Sequence, residues 1–251
     1  MNTQMIRRTL AGLLVFLWCG GLLCGRAEAL SRDQLSSFYK GAFFIGDSIT
    51  EQLKGYIRKE QQEHPDFFPE VKFLTAQSYC LYTASRKNLL PEKANLKLGG
   101  KEKTLWEILK ERKPTKALIL LGVNDYIGKT VEKGIDYDTR ILDLAQKHAP
   151  DTEVIFLSLT PVTKSFCKHQ DYRTMWDEYN EALKGLCLLR NVPYIDIASR
   201  MKDEEGYLKK DYSSDGKYHL KTQALELWVE ALLDYAQSQY DQGLWTPEDA
   251  Q

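Results

Sequence analysis

The sequence has almost no excess of charge of either sign. Its 251 residues carry 34 basic and 35 acidic side chains, so the formal net charge is −1. Proteins that bind nucleic acids usually present a strongly basic face, and this composition therefore predicts no nucleic-acid partner.

Cysteine is also scarce. Of five cysteines none lies in a C-x-x-C pair, and the four histidines form no H-E-x-x-H or H-x-x-x-H pattern. Zinc sites and dithiol redox sites usually show such spacings, so we expect no metal and no cofactor. The full sequence is 43% hydrophobic and 27% charged, a composition typical of a globular domain.

The first 29 residues differ from the rest. Arg7 and Arg8 precede an apolar run over residues 10–23, and residues 27–29 (Ala-Glu-Ala) have the form of a signal-peptidase site. The run is shorter than the roughly 20 residues of a lasting transmembrane helix. We predict a signal peptide over residues 1–29, cleaved after Ala29, and a secreted or extracytoplasmic domain over residues 30–251. The alternative is an uncleaved membrane anchor.

The domain alternates short apolar runs with helical patterns, which predicts a parallel sheet with helices on both faces. The predicted strands are Ala42–Ile45, Val71–Ala76, Ala117–Leu121, Val154–Leu159 and Pro193–Ile197. The predicted helices are Thr50–Gln62, Thr104–Arg112, Asp138–His148, Thr174–Leu189 and Thr222–Ala236.

Two further segments have local signals. Gly99-Gly100 within Asn95–Thr104 predicts a small β-hairpin insertion, since both turn positions can take positive φ. The tail Gln242–Gln251 is polar, and we expect it to be frayed.

Ligands of open parallel sheets bind beyond the carboxyl ends of the strands, so the residues that follow each strand are the candidates for chemistry. Ser48 follows the first strand, where a helix should begin. Helix-start N–H groups favour negative charge, so a serine there could attack a carbonyl and stabilise the resulting oxyanion. The alternative is a serine that only caps the helix.

Asn124 follows the third strand and could donate to an oxyanion, or serve only as a turn residue. His219 precedes the last helix, and Asp215 lies four residues before it. A neutral histidine is the usual base for a serine nucleophile, although His219 could also be a solvated residue at a helix start.

Three segments in this order, FFIGDSIT (43–50), LLGVND (120–125) and SDGKYHL (214–220), resemble blocks I, III and V of the bacterial GDSL/SGNH esterases and lipases. The resemblance implies a three-layer α/β fold of the SGNH-hydrolase (flavodoxin-like) type. It implies a serine hydrolase with Ser48 as nucleophile, His219 as base and Asp215 as acid. The oxyanion hole would include the Ser48 N–H and Asn124.

The sequence departs from the family at two places. The family's block II glycine is missing from Ala76–Cys80, so either Ser78 or Tyr79 could supply the backbone N–H. The family's acid usually lies three residues before its histidine, where this chain has Gly216, one residue after Asp215. Asp211, eight residues before His219, and a backbone carbonyl remain alternatives to Asp215.

The expected function is hydrolysis of a carboxylic ester with a short acyl group, carried by a small molecule or an O-acetylated glycan. Two other functions are compatible with the same residues. One is O-acyl transfer, and the other is a catalytically inactive SGNH-fold module that binds a glycan or a protein. The sequence indicates no oligomeric state.

Overall fold

The computed structural model describes residues 30–125 and 130–250. The predicted signal peptide and its cleavage site lie outside these residues. Within them, no helix is both long and apolar enough to cross a membrane.

Seven strands form two sheets. Their bounds are β1 (Phe43–Gly46), β2 (Lys72–Thr75), β3 (Leu96–Leu98), β4 (Lys101–Lys103), β5 (Lys116–Leu120), β6 (Glu153–Leu157) and β7 (Tyr194–Ile195). Five of them make a parallel sheet in the order β2-β1-β5-β6-β7, and β3 pairs with β4 as an antiparallel hairpin. The predicted five-stranded α/β fold is therefore confirmed. So is the hairpin, in which Gly99 and Gly100 have φ values of +59° and +78°.

The described residues form seven α-helices around the parallel sheet. They are α1 (Arg32–Ser36), α2 (Ser48–Glu60), α3 (Leu81–Ala84), α4 (Leu105–Arg112), α5 (Val131–His148), α6 (Tyr172–Arg190) and α7 (Thr222–Asp241). Helices α1 and α2 pack against α7, whereas α3, α4 and α6 pack against α5. The central strands lie between these two groups and are apolar at nearly every position, as expected for strands buried on both faces.

The predicted frayed tail is wrong. Helix α7 continues to Asp241, and Trp245 beyond it is buried, with its ring packed edge to face against Phe38 at 5.3 Å. Burying an indole ring stabilises the packed tail through its large apolar area, which outweighs the polarity of the neighbouring residues. Polar composition alone therefore misjudged this segment.

Two short helices were not predicted, and a third was misjudged in length. Helices α1 and α3 have five and four residues, too few for a helical period to be visible. Helix α5 begins at Val131, seven residues before the predicted start, with Thr130 as its N-cap. The three described cysteines, Cys80, Cys167 and Cys187, are free thiols.

Candidate active site

The loop from β1 into α2 places Ser48 at the carboxyl edge of the sheet. Asp47 is the N-cap residue, and its Oδ1 accepts a hydrogen bond from the Ile49 N–H at 2.9 Å. Ser48 is the first residue of the helix, so the alternative in which it serves as the cap is wrong. A Cβ at Gly46 would lie 2.0 Å from Thr50 Oγ1 and 2.8 Å from the Leu120 carbonyl oxygen, so only glycine fits there.

The structure brings three of the predicted residues together. Ser48 Oγ lies 3.0 Å from His219 Nε2, and His219 Nδ1 lies 2.7 Å from Asp215 Oδ2. The side chains of His219 and Asp215 are 29% and 31% exposed, so the chain of contacts opens to solvent. Each distance is that of a hydrogen bond, and the order is that of a serine, a base and an orienting acid.

Asp215 is held by the loop in which it lies. Its Oδ1 accepts hydrogen bonds from the backbone N–H groups of Lys217 (2.8 Å), Tyr218 (3.2 Å) and His219 (3.3 Å). Gly216 has φ +72°, and this left-handed residue lets the loop carry its extra residue and still return the carboxylate to the imidazole. Asp211 lies in the short 3₁₀ turn Lys210–Tyr212, and no hydrogen bond joins it to His219 in the described structure.

The pKa of Asp215 reports the same contacts. Partial burial alone would raise it, but hydrogen bonds from the His219 ring and the Lys217 N–H, together with the His219 charge, outweigh burial. They hold the pKa of Asp215 below its ordinary value. Asp215 is therefore ionised at neutral pH and can accept a hydrogen bond from the His219 ring.

Three side chains bind the histidine loop to the rest of the fold. The Gln52 amide donates to the Leu220 carbonyl at 3.1 Å and accepts from the Leu220 N–H at 2.9 Å. Beyond the end of β6, Thr163 Oγ1 and Ser165 Oγ donate to the Gly216 carbonyl at 2.6 Å and 2.8 Å. Sequence reasoning missed Gln52, although its position one helical turn after Ser48 places both on the same face of α2.

Asn124 lies on the opposite side of Ser48 and makes two contacts. Its Nδ2 donates to Asp47 Oδ2 at 2.7 Å and to the Tyr79 carbonyl at 3.1 Å. Asp47 is 1% exposed, and this burial raises its pKa to about 6. Both N–H bonds of the Asn124 amide are therefore engaged within the protein, the one to Tyr79 at the longer distance.

The turn after β2 replaces the missing block II glycine with a serine in a glycine-like conformation. Ser78 has φ +58°, and the Tyr79 N–H is already bonded to the Ala76 carbonyl at 3.1 Å. Within the described residues the Ser78 N–H has no acceptor. Just beyond, the Asp125 carboxylate accepts from the N–H groups of Leu81 (2.7 Å) and Tyr82 (3.2 Å) and fixes the start of α3.

A small cavity lies between the ends of β5 and β6 and the helices α5 and α6, and its lining includes Asp125, the neighbour of Asn124. Its volume is about 40 Å³, and its lining is mostly apolar. The lining includes Leu81, Gly122, Val131, Leu159, Met175 and Trp176. About 10–15 Å³ of such volume holds one water-sized group, so the cavity has room for about three or four non-hydrogen atoms.

Aromatic rings stand beside the histidine. The Tyr218 ring lies 4.7 Å from the His219 ring, and Phe166 packs edge to face on Tyr218 at 5.3 Å. Tyr172 stacks on Phe166 at 4.8 Å. All three aromatic residues are half-buried, so they form a partly open apolar wall next to the site.

The sequence pattern of the family described as "GDSL-like Lipase/Acylhydrolase family" matches residues 44–226. No curated protein sequence matches the chain.

Three solved structures are similar in fold. A GDSL-like lipase from Bacteroides thetaiotaomicron is 13% identical, with a TM-score of 0.58 over 85% of this chain and 93% of that one. An acetyl xylan esterase is 15% identical, with a TM-score of 0.56 and coverages of 77% and 98%. The periplasmic domain of a lipopolysaccharide acetyltransferase from Salmonella ser. Paratyphi A is 14% identical, with a TM-score of 0.54 and coverages of 78% and 83%.

Proposed function

We propose that Ser48, His219 and Asp215 carry out the reaction of this chain. The chain belongs to the GDSL-like lipase/acylhydrolase family and is a serine hydrolase acting on ester bonds. The observation that supports this proposal most directly is the continuous pair of contacts from Ser48 Oγ to His219 and from His219 to Asp215, at 3.0 Å and 2.7 Å.

In the first half of the proposed reaction, Ser48 Oγ attacks the carbonyl carbon of the ester. His219 Nε2 takes the hydroxyl proton as the new C–O bond forms. Asp215 holds the imidazole with its Nδ1–H facing the carboxylate and stabilises the imidazolium. The imidazolium then protonates the leaving alcohol, and an acyl-enzyme remains on Ser48.

In the second half, water enters beside His219, which removes a proton from it. The hydroxide attacks the acyl carbonyl, the acid is released and the proton returns to Ser48. If a sugar hydroxyl entered in place of water, the same residues would perform acyl transfer. The partial exposure of His219 supports water as the usual acceptor.

The negative oxygen formed in both halves needs preorganised donors. We assign this role to the N–H of Ser48 at the helix start, the N–H of Ser78 and the Asn124 amide. Of the two Asn124 hydrogen bonds, the one to the Tyr79 carbonyl is the longer. We therefore assign this N–H to the oxyanion, which would replace the Tyr79 carbonyl as its acceptor. The Asp47 carboxylate keeps the amide oriented while this happens.

The substrate we propose has a short acyl group, such as acetyl, and a glycan or small-molecule alcohol. The small cavity lined by Asp125, the neighbour of Asn124, supports the first part, because a volume of about 40 Å³ is too small for a long acyl chain. The open aromatic wall of Phe166, Tyr172 and Tyr218 supports the second, because ring faces offer apolar contact to a sugar. The sequence of residues 1–29 supports export to an extracytoplasmic compartment.

Steady-state hydrolysis of p-nitrophenyl acetate tests this function. The Ser48→Ala variant should lose activity to near background, and Asn124→Ala should lose about 10²-fold or more in kcat, the scale for one oxyanion donor. Equal activity of Ser48→Ala and the wild-type chain would disprove the mechanism. A wild-type chain with no activity on short acyl esters would favour the inactive binding module.

A further inference from the structure

A positively charged groove lies between the segment that follows α3 and the outer face of α5. Its volume is about 560 Å³. The charged residues that line it are four basic and one acidic, namely Arg86, Lys87, Arg140, Lys147 and Asp143. Because the whole chain has a net charge of −1, these cations are a local concentration and not a reflection of composition.

Most of this charge is not cancelled by neighbouring carboxylates. Asp143 accepts from Arg190 at 2.7 Å, and Arg140 donates to Asp136 at 2.9 Å. No carboxylate of the described residues forms an ion pair with Arg86, Lys87 or Lys147. These three cations can therefore pair with a ligand without first breaking an internal ion pair.

The groove is also preorganised. The Arg86 guanidinium lies 5.3 Å above the Tyr82 ring and that of Arg140 lies 6.0 Å above the Tyr137 ring, and these rings pack edge to face at 5.7 Å. Trp106 Nε1 donates to the Lys87 carbonyl at 2.9 Å and fixes that stretch of backbone. Cations held in place lose less conformational entropy when they bind an anion.

His148 lies close to these cations, and its ring is 4.4 Å from the Trp106 ring. Desolvation and the charges of Lys147, Lys110 and Lys87 hold the pKa of His148 below its ordinary value. The part of this shift that comes from the three lysine charges reflects the positive potential that would attract an anion.

Helix α3 connects the groove to the candidate active site. At its start the Leu81 and Tyr82 N–H groups bind Asp125, the neighbour of Asn124. The helix has four residues and is therefore about 6 Å long, and Ser85 at its end already lines the groove. On α5 the groove begins at Arg140, nine residues or about 14 Å after the helix start at Val131. An extended polymer with an ester at Ser48 is long enough to reach these positions, whereas a small ester is not.

We propose that this groove binds the anionic groups of an acylated acidic polysaccharide while one of its esters lies at Ser48. The inference rests on the proposed esterase function and adds the substrate class. A chain of carboxylated sugars fits a concave groove, and a flat anionic bilayer does not. The cluster of uncompensated cations is local, whereas nucleic-acid binding uses an extended basic face.

The test compares two groups of three substitutions of the same residue types. The groove variant is Arg86→Gln/Lys87→Gln/Lys147→Gln, which leaves no described carboxylate without its partner. The control is Arg58→Gln/Lys59→Gln/Lys184→Gln, on exposed positions of α2 and α6. Acetate release is measured from O-acetylated polygalacturonate and from the same polymer with its carboxyl groups reduced to alcohols.

The groove variant should raise KM for the acidic polymer about 10-fold at about 20 mM salt, and the difference should shrink to about twofold at about 0.5 M salt, where screening is strong. KM for the reduced polymer and kcat/KM for p-nitrophenyl acetate should change less than about twofold. The control should behave as the wild-type chain does on all three substrates.

Calorimetric titration with unacetylated polygalacturonate separates this proposal from the catalytic one. Weaker binding by the groove variant than by the control supports the groove even if the wild-type chain hydrolyses nothing. Equal KM and equal binding in both variants would overturn the groove while leaving the esterase intact. Selective loss of binding to RNA or to anionic phosphatidylglycerol vesicles, with polysaccharide binding unchanged, would also overturn it.

Discussion

The two sides of Ser48 are built differently. On one side His219 and Asp215 are about 30% exposed and are joined by direct contacts between side chains. On the other, Asp47 is almost fully buried and Asn124 is bonded to it and to a main-chain carbonyl. The exposed side can exchange protons with water, and the buried side can only hold donors in fixed positions. The two sides should therefore respond differently to substitution.

The exposed side should show the largest effect. Asp215→Asn should lower kcat about 10²–10⁴-fold, because the asparagine amide no longer holds the correct tautomer of His219. The melting temperature should stay near that of the wild-type chain, since Asp215 is exposed and bonds mainly within its own loop. Kinetics on p-nitrophenyl acetate and a thermal melt measure both.

Asp211→Asn is the matched control for that substitution, with an expected kcat within about threefold of wild type. The reverse pattern would move the acid to Asp211. Full activity in both single variants and in the double variant would leave a Ser-His dyad.

The buried side should link activity to stability. Asp47→Asn should lower kcat roughly 10-fold, because an ionised acceptor of the Asn124 amide is lost. Since burial raises the pKa of Asp47 to about 6, from 3.8 for an ordinary aspartate, the folded chain retains a proton that the unfolded chain releases. Wild-type stability should therefore fall as pH rises from about 4 to about 6, by up to about 3 kcal/mol.

Urea unfolding of the wild-type chain and of Asp47→Asn across this pH range measures the effect. The stability of the variant relative to wild type should rise with pH, because the titrating carboxyl is gone. The exposed Asp66→Asn should follow the wild-type curve. Parallel curves for wild type and Asp47→Asn would show that burial does not raise the pKa of Asp47.

Gln52 joins α2 to the histidine loop and should have an intermediate effect. Gln52→Met keeps the side-chain length but removes both bonds to Leu220, so His219 should be held less firmly relative to Ser48. We expect kcat to fall about 10-fold with KM nearly unchanged, because small misplacements of catalytic groups slow the chemical step. Gln62→Met, just beyond the end of α2, is the control. An unchanged kcat in Gln52→Met would show that the hydrogen bonds from Gln52 to Leu220 do not position His219 for catalysis.

The smallest effect is expected at Ser78, where the proposed donor is a main-chain N–H. Ser78→Gly should keep kcat within about twofold, because glycine retains that N–H. It should gain roughly 0.5–1 kcal/mol of stability at this positive φ, seen as a higher melting temperature. A large loss of kcat would indicate that the serine hydroxyl itself is the donor.

The sequence was sufficient for the exposed side and insufficient for the buried one. Ser48, Asp215 and His219 lie in short segments of recognisable residue types, so their proximity could be predicted before any distance was known. Their acid was ambiguous only because a loop with one extra residue does not reveal its path, which Gly216 sets.

The buried side depends on geometry that residue types do not encode. The sequence indicated neither that Asn124 bonds to Asp47 nor that Ser78 takes a left-handed conformation, since both depend on how separate loops meet. The same applies to the basic groove, whose residues come from the end of α3 and from α5. For the fold, the long apolar strands were predicted well, whereas α1, α3 and the packed tail were not.

The central claim is that Ser48 is the nucleophile, and active-site labelling tests it most directly. The purified chain is treated with a fluorophosphonate, and intact mass and peptide mapping locate the adduct. We predict one adduct on Ser48, no labelling of Ser48→Ala and slower labelling of Asp215→Asn. A wild-type chain that stays unlabelled, or a Ser48→Ala variant labelled as fast as wild type, would contradict the account.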